Sequence, residues 1–197
     1  MQYYLELTLI KDSEISPYFI WSKLYTQIHL AFVEQKDANG QIVYGVSFPE
    51  YKTVEAKAKK ITLLGSKLRV FANSMQALEQ LNLDKWLEKL TDYVHIKSAK
   101  QVENATQYVT VSRYRPQASV GNLARRYASR HNVSLDDALK RLEGFNQKLE
   151  PYPYIQLKSL SGGNDFSLCI NQKVADKQNA GKFSTYGLSP TSTVPHW

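Results

Sequence analysis

Residues Asn122 to His131 read NLARRYASRH. Wound as a helix at about 100° per residue, they put Leu123 and Tyr127 on one side and Arg126 and Arg130 on the other. Like charges four residues apart repel, and the chain offers no acidic residue from Asn104 to Leu135 to offset them. An anion from outside the chain is expected there. Arg125 adds to the same helix, and six of the seven arginines (Arg113, Arg115, Arg125, Arg126, Arg130, Arg141) fall between positions 113 and 141, whereas eighteen lysines are spread over the whole chain. A guanidinium fork fits phosphate oxygens and guanine edges bidentately and an ammonium does not. The cluster points to nucleic acid.

The other chemically able side chains are fewer. Four histidines are present without zinc-type spacing, so neither a metal site nor a cofactor is expected. His131 closes the arginine helix, where a cation complements the dipole; His95 falls in an expected strand and His196 in the tail. His29 lies at the edge of an apolar helix face, between Tyr25 and Phe32. On pattern alone it reads either as a partly buried residue bonded to a neighbour or as a base. Ser159 and Ser161 flank a strand end at KSLSGGNDF, Phe166 stands just across that turn, and Tyr186 lies in STYGLS. Phe166 alternates with Leu168 and Ile170, as a core residue would. Together with an arginine helix these groups also suit RNA, whose bases stack on aromatic rings and whose 2′-hydroxyl needs polar partners.

These side chains need elements to carry them. At 197 residues, 43% hydrophobic and net charge +7, the chain can build a normal core and favours a polyanionic partner. Cys169 is the single cysteine, which excludes an intramolecular disulfide; in FSLCI it reads as a buried thiol. Neither a signal peptide nor an apolar run long enough to span a membrane is present, so a soluble cytoplasmic protein is expected. YYLELTLI alternates as a half-buried strand, with Glu6 on its polar face. Ser16 and Pro17 open a long amphipathic helix with Ile20, Leu24, Ile28, Ala31 and Phe32 on one face. IVYGVSF and KLRVFA read as strands joined by the polar stretch EYKTVEAKAKK, SMQALEQLN and LDKWLEKLTDYV as helical, and VHIKSAKQV as extended. This β-α-β-β-α-β order predicts a ferredoxin-like domain over 1–102 in an α+β protein. Residues 103–197 are expected to form a second domain, with a strand into Arg113 and Arg115, the arginine helix at about 119–131, and a short helix capped by Ser134 and Asp137 and stopped by Gly144. A small antiparallel sheet follows, from two strands around SGGND and a last strand in GKFSTYGLS. PTSTVPHW reads as a short tail with Trp197 docked.

The two helices around His131 also resemble a helix-turn-helix. In that motif the second helix reads DNA, yet here it carries Asp136, Asp137 and Glu143 against Lys140 and Arg141, and the arginines sit on the first.

HLAF at His29, GVSFP at 45–49, VSR followed by LARR and SRH, LKSLSGGNDF, and FSTYGLS with VP near the end together resemble the CRISPR repeat-RNA-processing endoribonuclease of type I-F systems, in order along the chain. The resemblance implies a ferredoxin-like first domain and a second whose arginine helix lies in the major groove of a repeat-RNA hairpin. It implies metal-free cleavage at the 3′ base of the stem, retention of the product, and service beside other subunits of the surveillance complex. His29 falls at the catalytic histidine, Ser159 at the serine that orders the site, and Tyr186 at an orienting tyrosine. Phe166 falls at an aromatic that stacks on the terminal base pair, Arg126 and Arg130 at groove and phosphate contacts, with Arg125 a further basic position, and Arg113 at a base-reading residue. Arg115 departs from the glutamine usual in the family, and arginine favours guanine where glutamine favours adenine. A neutral histidine suits the implied chemistry, because RNA carries its own nucleophile and only a proton acceptor for the 2′-hydroxyl is needed. The other functions compatible with the sequence are an RNA-hairpin-binding subunit that cleaves weakly or not at all, and a helix-turn-helix DNA regulator.

Overall fold

A computed structural model describes residues 1–56, 59–103, 105–116, 118–145, 152–159 and 162–197. Two compact units emerge: Met1–Tyr114 together with Tyr152–Trp197, and Arg115–Pro151. The architecture is mixed α/β with antiparallel sheets.

In the larger unit, β1 (Tyr3–Leu9) leads into α1 (Pro17–Glu34). α1 starts where the sequence predicts: the Ser16 side chain accepts from the Tyr18 amide and Pro17 occupies the first turn, which needs no amide donor. Its buried face holds Ile20, Leu24, Ile28, Ala31 and Phe32 as expected, and also Trp21 and Tyr25. Burying an aliphatic side chain as fully as Leu24 or Ile28 stabilises by roughly 1.5–3 kcal/mol. After β2 (Gln41–Ile42) and β3 (Gly45–Ser47) come β4 (Lys52–Ala56), β5 (Lys59–Leu63) and β6 (Lys67–Ala72). Next are α2 (Met75–Leu81), α3 (Leu83–Trp86), a 3-10 turn at Glu88–Leu90, β7 (Val94–Ile96) and β8 (Lys100–Gln101). The first sheet runs β3-β6-β1-β7, with β8 also on β1.

Three expectations change in this part. The lysine-rich stretch is not a plain connection: β4 and β5 pair as a hairpin with Lys52 opposite Leu63 and Val54 opposite Ile61. LDKWLEKLTDYV holds helix only in short pieces, α3 and the 3-10 turn. Glu6 is buried rather than solvated, 6% exposed, because Arg69 Nε (3.0 Å) and Lys97 Nζ (2.7 Å) both donate to it. Burial opposes its ionisation, yet those two partners hold its carboxyl below the usual carboxylate range.

The second sheet runs β10-β11-β9-β13, from β9 (Gln107–Tyr114), β10 (Tyr154–Lys158), β11 (Asp165–Ala175) and β13 (Ser189–His196). Here the sequence reading also needs correction. GKFSTYGLS supplies β12 (Phe183–Ser184), which pairs with β2, then turns and reaches β13 only at Ser189. The expected tail is itself β13. Its two prolines obscure it, but β13 is an edge strand, and proline is tolerated where one side of the strand needs no partner. Trp197 is docked as expected, edge-on to Tyr4 with ring centroids 4.9 Å apart and 3.9 Å from the Arg69 guanidinium. Cys169 is buried. No helix among the described residues is long and apolar enough to cross a membrane.

The smaller unit is a helix pair, α4 (Val120–His131) and α5 (Leu135–Arg141), buried chiefly through Ala124 and Ala138. Asn132 closes α4 in the left-handed conformation, Ser134 caps α5 with its Oγ accepting from the Asp137 amide and donating to the Asp137 carboxylate, and Gly144 follows α5 at φ +85°. The chain leaves and re-enters the larger unit at Tyr114 and Tyr152, whose ring centroids are 4.4 Å apart.

Candidate active site

His29 sits on the shoulder of α1, half-buried, one residue after the fully buried Ile28. Its ring stacks on Tyr186 with centroids 4.0 Å apart and planes 3° from parallel. Nδ1 lies 2.8 Å from the Thr185 main-chain oxygen. A carbonyl can only accept, so Nδ1 carries the hydrogen and, in the neutral ring, Nε2 is left as the basic nitrogen. Burial lowers the His29 pKa and the bond to Thr185 raises it, with burial the stronger. The imidazole is therefore neutral near pH 7.

Tyr186 is held from beneath. The Tyr25 hydroxyl, one helical turn before His29, donates to the Tyr186 main-chain oxygen at 2.8 Å. Gly187 then turns the chain at φ +71°, its amide donating back to Ser184, while its carbonyl accepts from the Val46 amide at 3.1 Å. A Cβ at Gly187 would stand 2.7 Å from Val46 Cγ1, so the close approach itself demands glycine. Gly45 is confined in the same way, by Val194 and Phe183. GVSFP and STYGLS are thus two halves of one packing contact that sets the height of the Tyr186 ring against His29.

His29, Ser159 and Tyr186 line one cleft of about 510 Å³, with Thr26, Leu30, Val33, Lys36, Leu157, Lys158 and Thr185. Ser159 follows β10, and its Oγ accepts from the Gly162 amide at 3.2 Å. Phe166 approaches Tyr186 edge-on at 6.4 Å, and the Arg113 guanidinium lies 5.2 Å from the Phe166 ring. Tyr186 has its phenol pKa raised by burial, and Arg113 pulls it back down. The sequence-predicted residues His29, Ser159, Tyr186, Phe166 and Arg113 are thereby brought together. Ser161 lies outside the described residues.

Arg115, Arg125, Arg126 and Arg130 belong to the smaller unit. On α4, Arg125, Arg126 and Arg130 are all exposed. Arg125 donates to Asn122 Oδ1 at 3.1 Å, and none of the three is in a salt bridge among the described residues. His131 stacks on Tyr127 at 4.2 Å. The face that composition marks for an anion is therefore formed and open.

Comparison with known proteins decides the family. The family described as CRISPR-associated protein (Cas_Csy4) matches residues 4–197. The chain belongs to that family. Two curated relatives, each named CRISPR-associated endonuclease Cas6/Csy4, agree with the assignment. The one from Pseudomonas aeruginosa (strain UCBPP-PA14) is 33% identical over 199 residues, and the one from Escherichia coli (strain UTI89 / UPEC) 30% identical over 196, each alignment covering 99% of both chains. Among solved structures, "An RAMP protein binding different RNA substrates" aligns over 98% of this chain and 99% of its own at 13% identity and a TM-score of 0.38.

Within this Cas_Csy4 chain, sequence reasoning missed Lys36, Lys158 and Thr185 in the cleft and Tyr25 beneath Tyr186. Tyr25 was visible only as a neighbour of His29, and Lys36 and Lys158 are two among eighteen lysines. Thr185 acts through its main chain, which leaves no signal in residue type.

Proposed function

We propose that this chain is a metal-independent endoribonuclease that cuts CRISPR repeat RNA at the 3′ base of a hairpin stem and keeps the product. The observation that carries the reading is the His29 ring, clamped on Tyr186, with Nδ1 bonded to Thr185 and Nε2 left as the base in a cleft shared with Ser159. Nε2 takes the proton from the 2′-hydroxyl; O2′ then bonds to the scissile phosphorus as the P–O5′ bond breaks, and the departing oxygen takes up a proton. The products are a 2′,3′-cyclic phosphate and a 5′-hydroxyl, with no water consumed. Ser159 positions the ribose or the imidazole, and Tyr186 orients His29; such positioning contributes several kcal/mol. Phe166 stacks on the terminal base pair, Arg113 and Arg115 read bases near the cut, Ser161 adds a polar contact, and Arg125, Arg126 and Arg130 hold groove phosphates. The sheet order β3-β6-β1-β7, with α1 and α2 as its crossovers, supports a ferredoxin-like reading of 1–102, leaving 103–197 as the RNA-binding part. The protein acts in the cytoplasm, and the retained product recruits the other subunits of a type I-F surveillance complex.

A labelled repeat hairpin incubated with protein in EDTA tests this. The unaltered chain should cleave it, leaving a 2′,3′-cyclic end, while His29→Ala should lose roughly 10²–10⁴-fold in single-turnover rate and keep its hairpin affinity. Equal loss of both would overturn the assignment.

A further inference from the structure

Two side chains of α1 hold the turn that carries Tyr186. The turn closes on itself, with the Gly187 amide donating to the Ser184 carbonyl at 2.8 Å and the Ser184 amide donating to the Leu188 carbonyl at 2.9 Å. Thr185, Tyr186 and a left-handed Gly187 thus form a three-residue hairpin loop. Those two bonds use neither the Thr185 nor the Tyr186 carbonyl. Both accept from α1 instead, Thr185 from His29 Nδ1 at 2.8 Å and Tyr186 from the Tyr25 hydroxyl at 2.8 Å. Side chains four residues apart on a helix share a face, about 5–6 Å from each other. One turn of α1 therefore fixes two consecutive carbonyls.

A neutral imidazole can carry its hydrogen on either nitrogen. The Thr185 carbonyl keeps it on Nδ1, and the next peptide along is tied down by Tyr25. Tyr25 is built into the core to do this. It is fully buried, and its ring stacks on Phe48 with centroids 6.3 Å apart and planes 14° from parallel. Phe48 is held at both main-chain groups by the Gln172 side chain of β11, which accepts from its amide at 2.9 Å and donates to its carbonyl at 3.0 Å. Burial pushes the Tyr25 phenol far above the usual tyrosine range, so its hydroxyl stays a donor wherever the protein is folded and active.

We propose that Tyr25 is a positioning residue for the cleavage reaction. Its hydroxyl anchors the Tyr186 peptide, so that the adjoining Thr185 carbonyl keeps the His29 hydrogen on Nδ1 and leaves Nε2 free as the base. The inference rests on the proposed function and names the group on which its base depends. Fully buried, Tyr25 acts through the turn and does not touch RNA. Without the hydroxyl the turn shifts, Nδ1 loses its acceptor, and part of the population moves the hydrogen to Nε2, where it blocks proton transfer from the 2′-hydroxyl.

The test compares two substitutions that each remove one buried hydroxyl and keep the ring. Tyr25→Phe frees the turn. Tyr44→Phe is the matched control: Tyr44 is 2% exposed, stacks on Phe32 with centroids 5.6 Å apart, and donates to the Ala77 carbonyl of α2 at 2.9 Å. Each leaves one carbonyl without its donor, so the pair separates position from stability. Single-turnover cleavage should be about tenfold slower in Tyr25→Phe and unchanged in Tyr44→Phe. Affinity for a hairpin made uncleavable by a 2′-deoxy nucleotide before the scissile phosphate should be the same in all three proteins. Long-range proton–nitrogen NMR spectra of the free proteins, taken above the histidine pKa and assigned with His29→Ala, should show the His29 hydrogen on Nδ1 in the unaltered protein and in Tyr44→Phe. Tyr25→Phe should show a mixture of tautomers. A hydrogen on Nε2 in the unaltered protein, equal rates in the two variants, or a tautomer unmoved by Tyr25→Phe would overturn the positioning role while leaving hairpin cleavage intact. Failure of the unaltered protein to cleave any repeat hairpin would instead overturn the parent reading, and this one with it.

Discussion

Burial and hydrogen bonding act on the His29 ring with opposite signs, and the sum keeps it neutral. Since the neutral form is the base, the sign of the pH effect follows directly. The acid limb of the single-turnover rate should have its midpoint below the ordinary histidine value of about 6.5. The same depression means that His29 contributes to stability fully above that ordinary value, and that the contribution is lost as pH falls through the folded-state pKa. Rates measured with saturating enzyme from pH 5 to 8 would check this, and a midpoint above 6.5 would count against His29 as the buried base. Residue type made His29 a candidate, but which ring nitrogen carries its hydrogen depends on the Thr185 carbonyl, a main-chain group. That half of the site could not be read from side chains at all.

The elements that hold the site are legible to different depths. α1 is clear because its cap, its first-turn proline and its apolar spacing all agree. β4 and β5 are not, since KTVEA and KKITL are short, mostly polar and without regular alternation, which leaves little hydrophobic contrast for a period of two. β13 is hidden by proline, and the segment at Tyr186 reads as strand because its aromatics mimic one. In fact β12 ends at Ser184, and Tyr186 stands in the turn that follows. Gly187→Ala tests that turn: at φ +71°, with Val46 and Phe32 in the way, it should destabilise the fold by about 1–3 kcal/mol. In thermal melts the midpoint should drop, and cleavage should slow further than the melt accounts for, because the Tyr186 ring is displaced. A Gly187→Ala protein with unaltered melting and cleavage would deny the turn that role.

For the molecule as a whole, the proposed function assigns gripping and cutting to different groups. The exposed arginines of α4 form a basic face, and the cleft around His29 holds the proposed catalytic groups. Arg126→Ala combined with Arg130→Ala should weaken hairpin binding and lower the slope of log affinity against log salt by about 2, one for each phosphate no longer neutralised. A salt titration by filter binding would measure it, and an unchanged slope would move the RNA off that helix. The paired rings of Tyr114 and Tyr152 bear on this division. The arginine helix is inserted between two points of the larger unit that already stand side by side, so a replacement segment must satisfy only that one short span. On the proposed function, that makes the arginine helix an exchangeable cassette: a different RNA could be chosen by replacing it between the same two points of the larger unit.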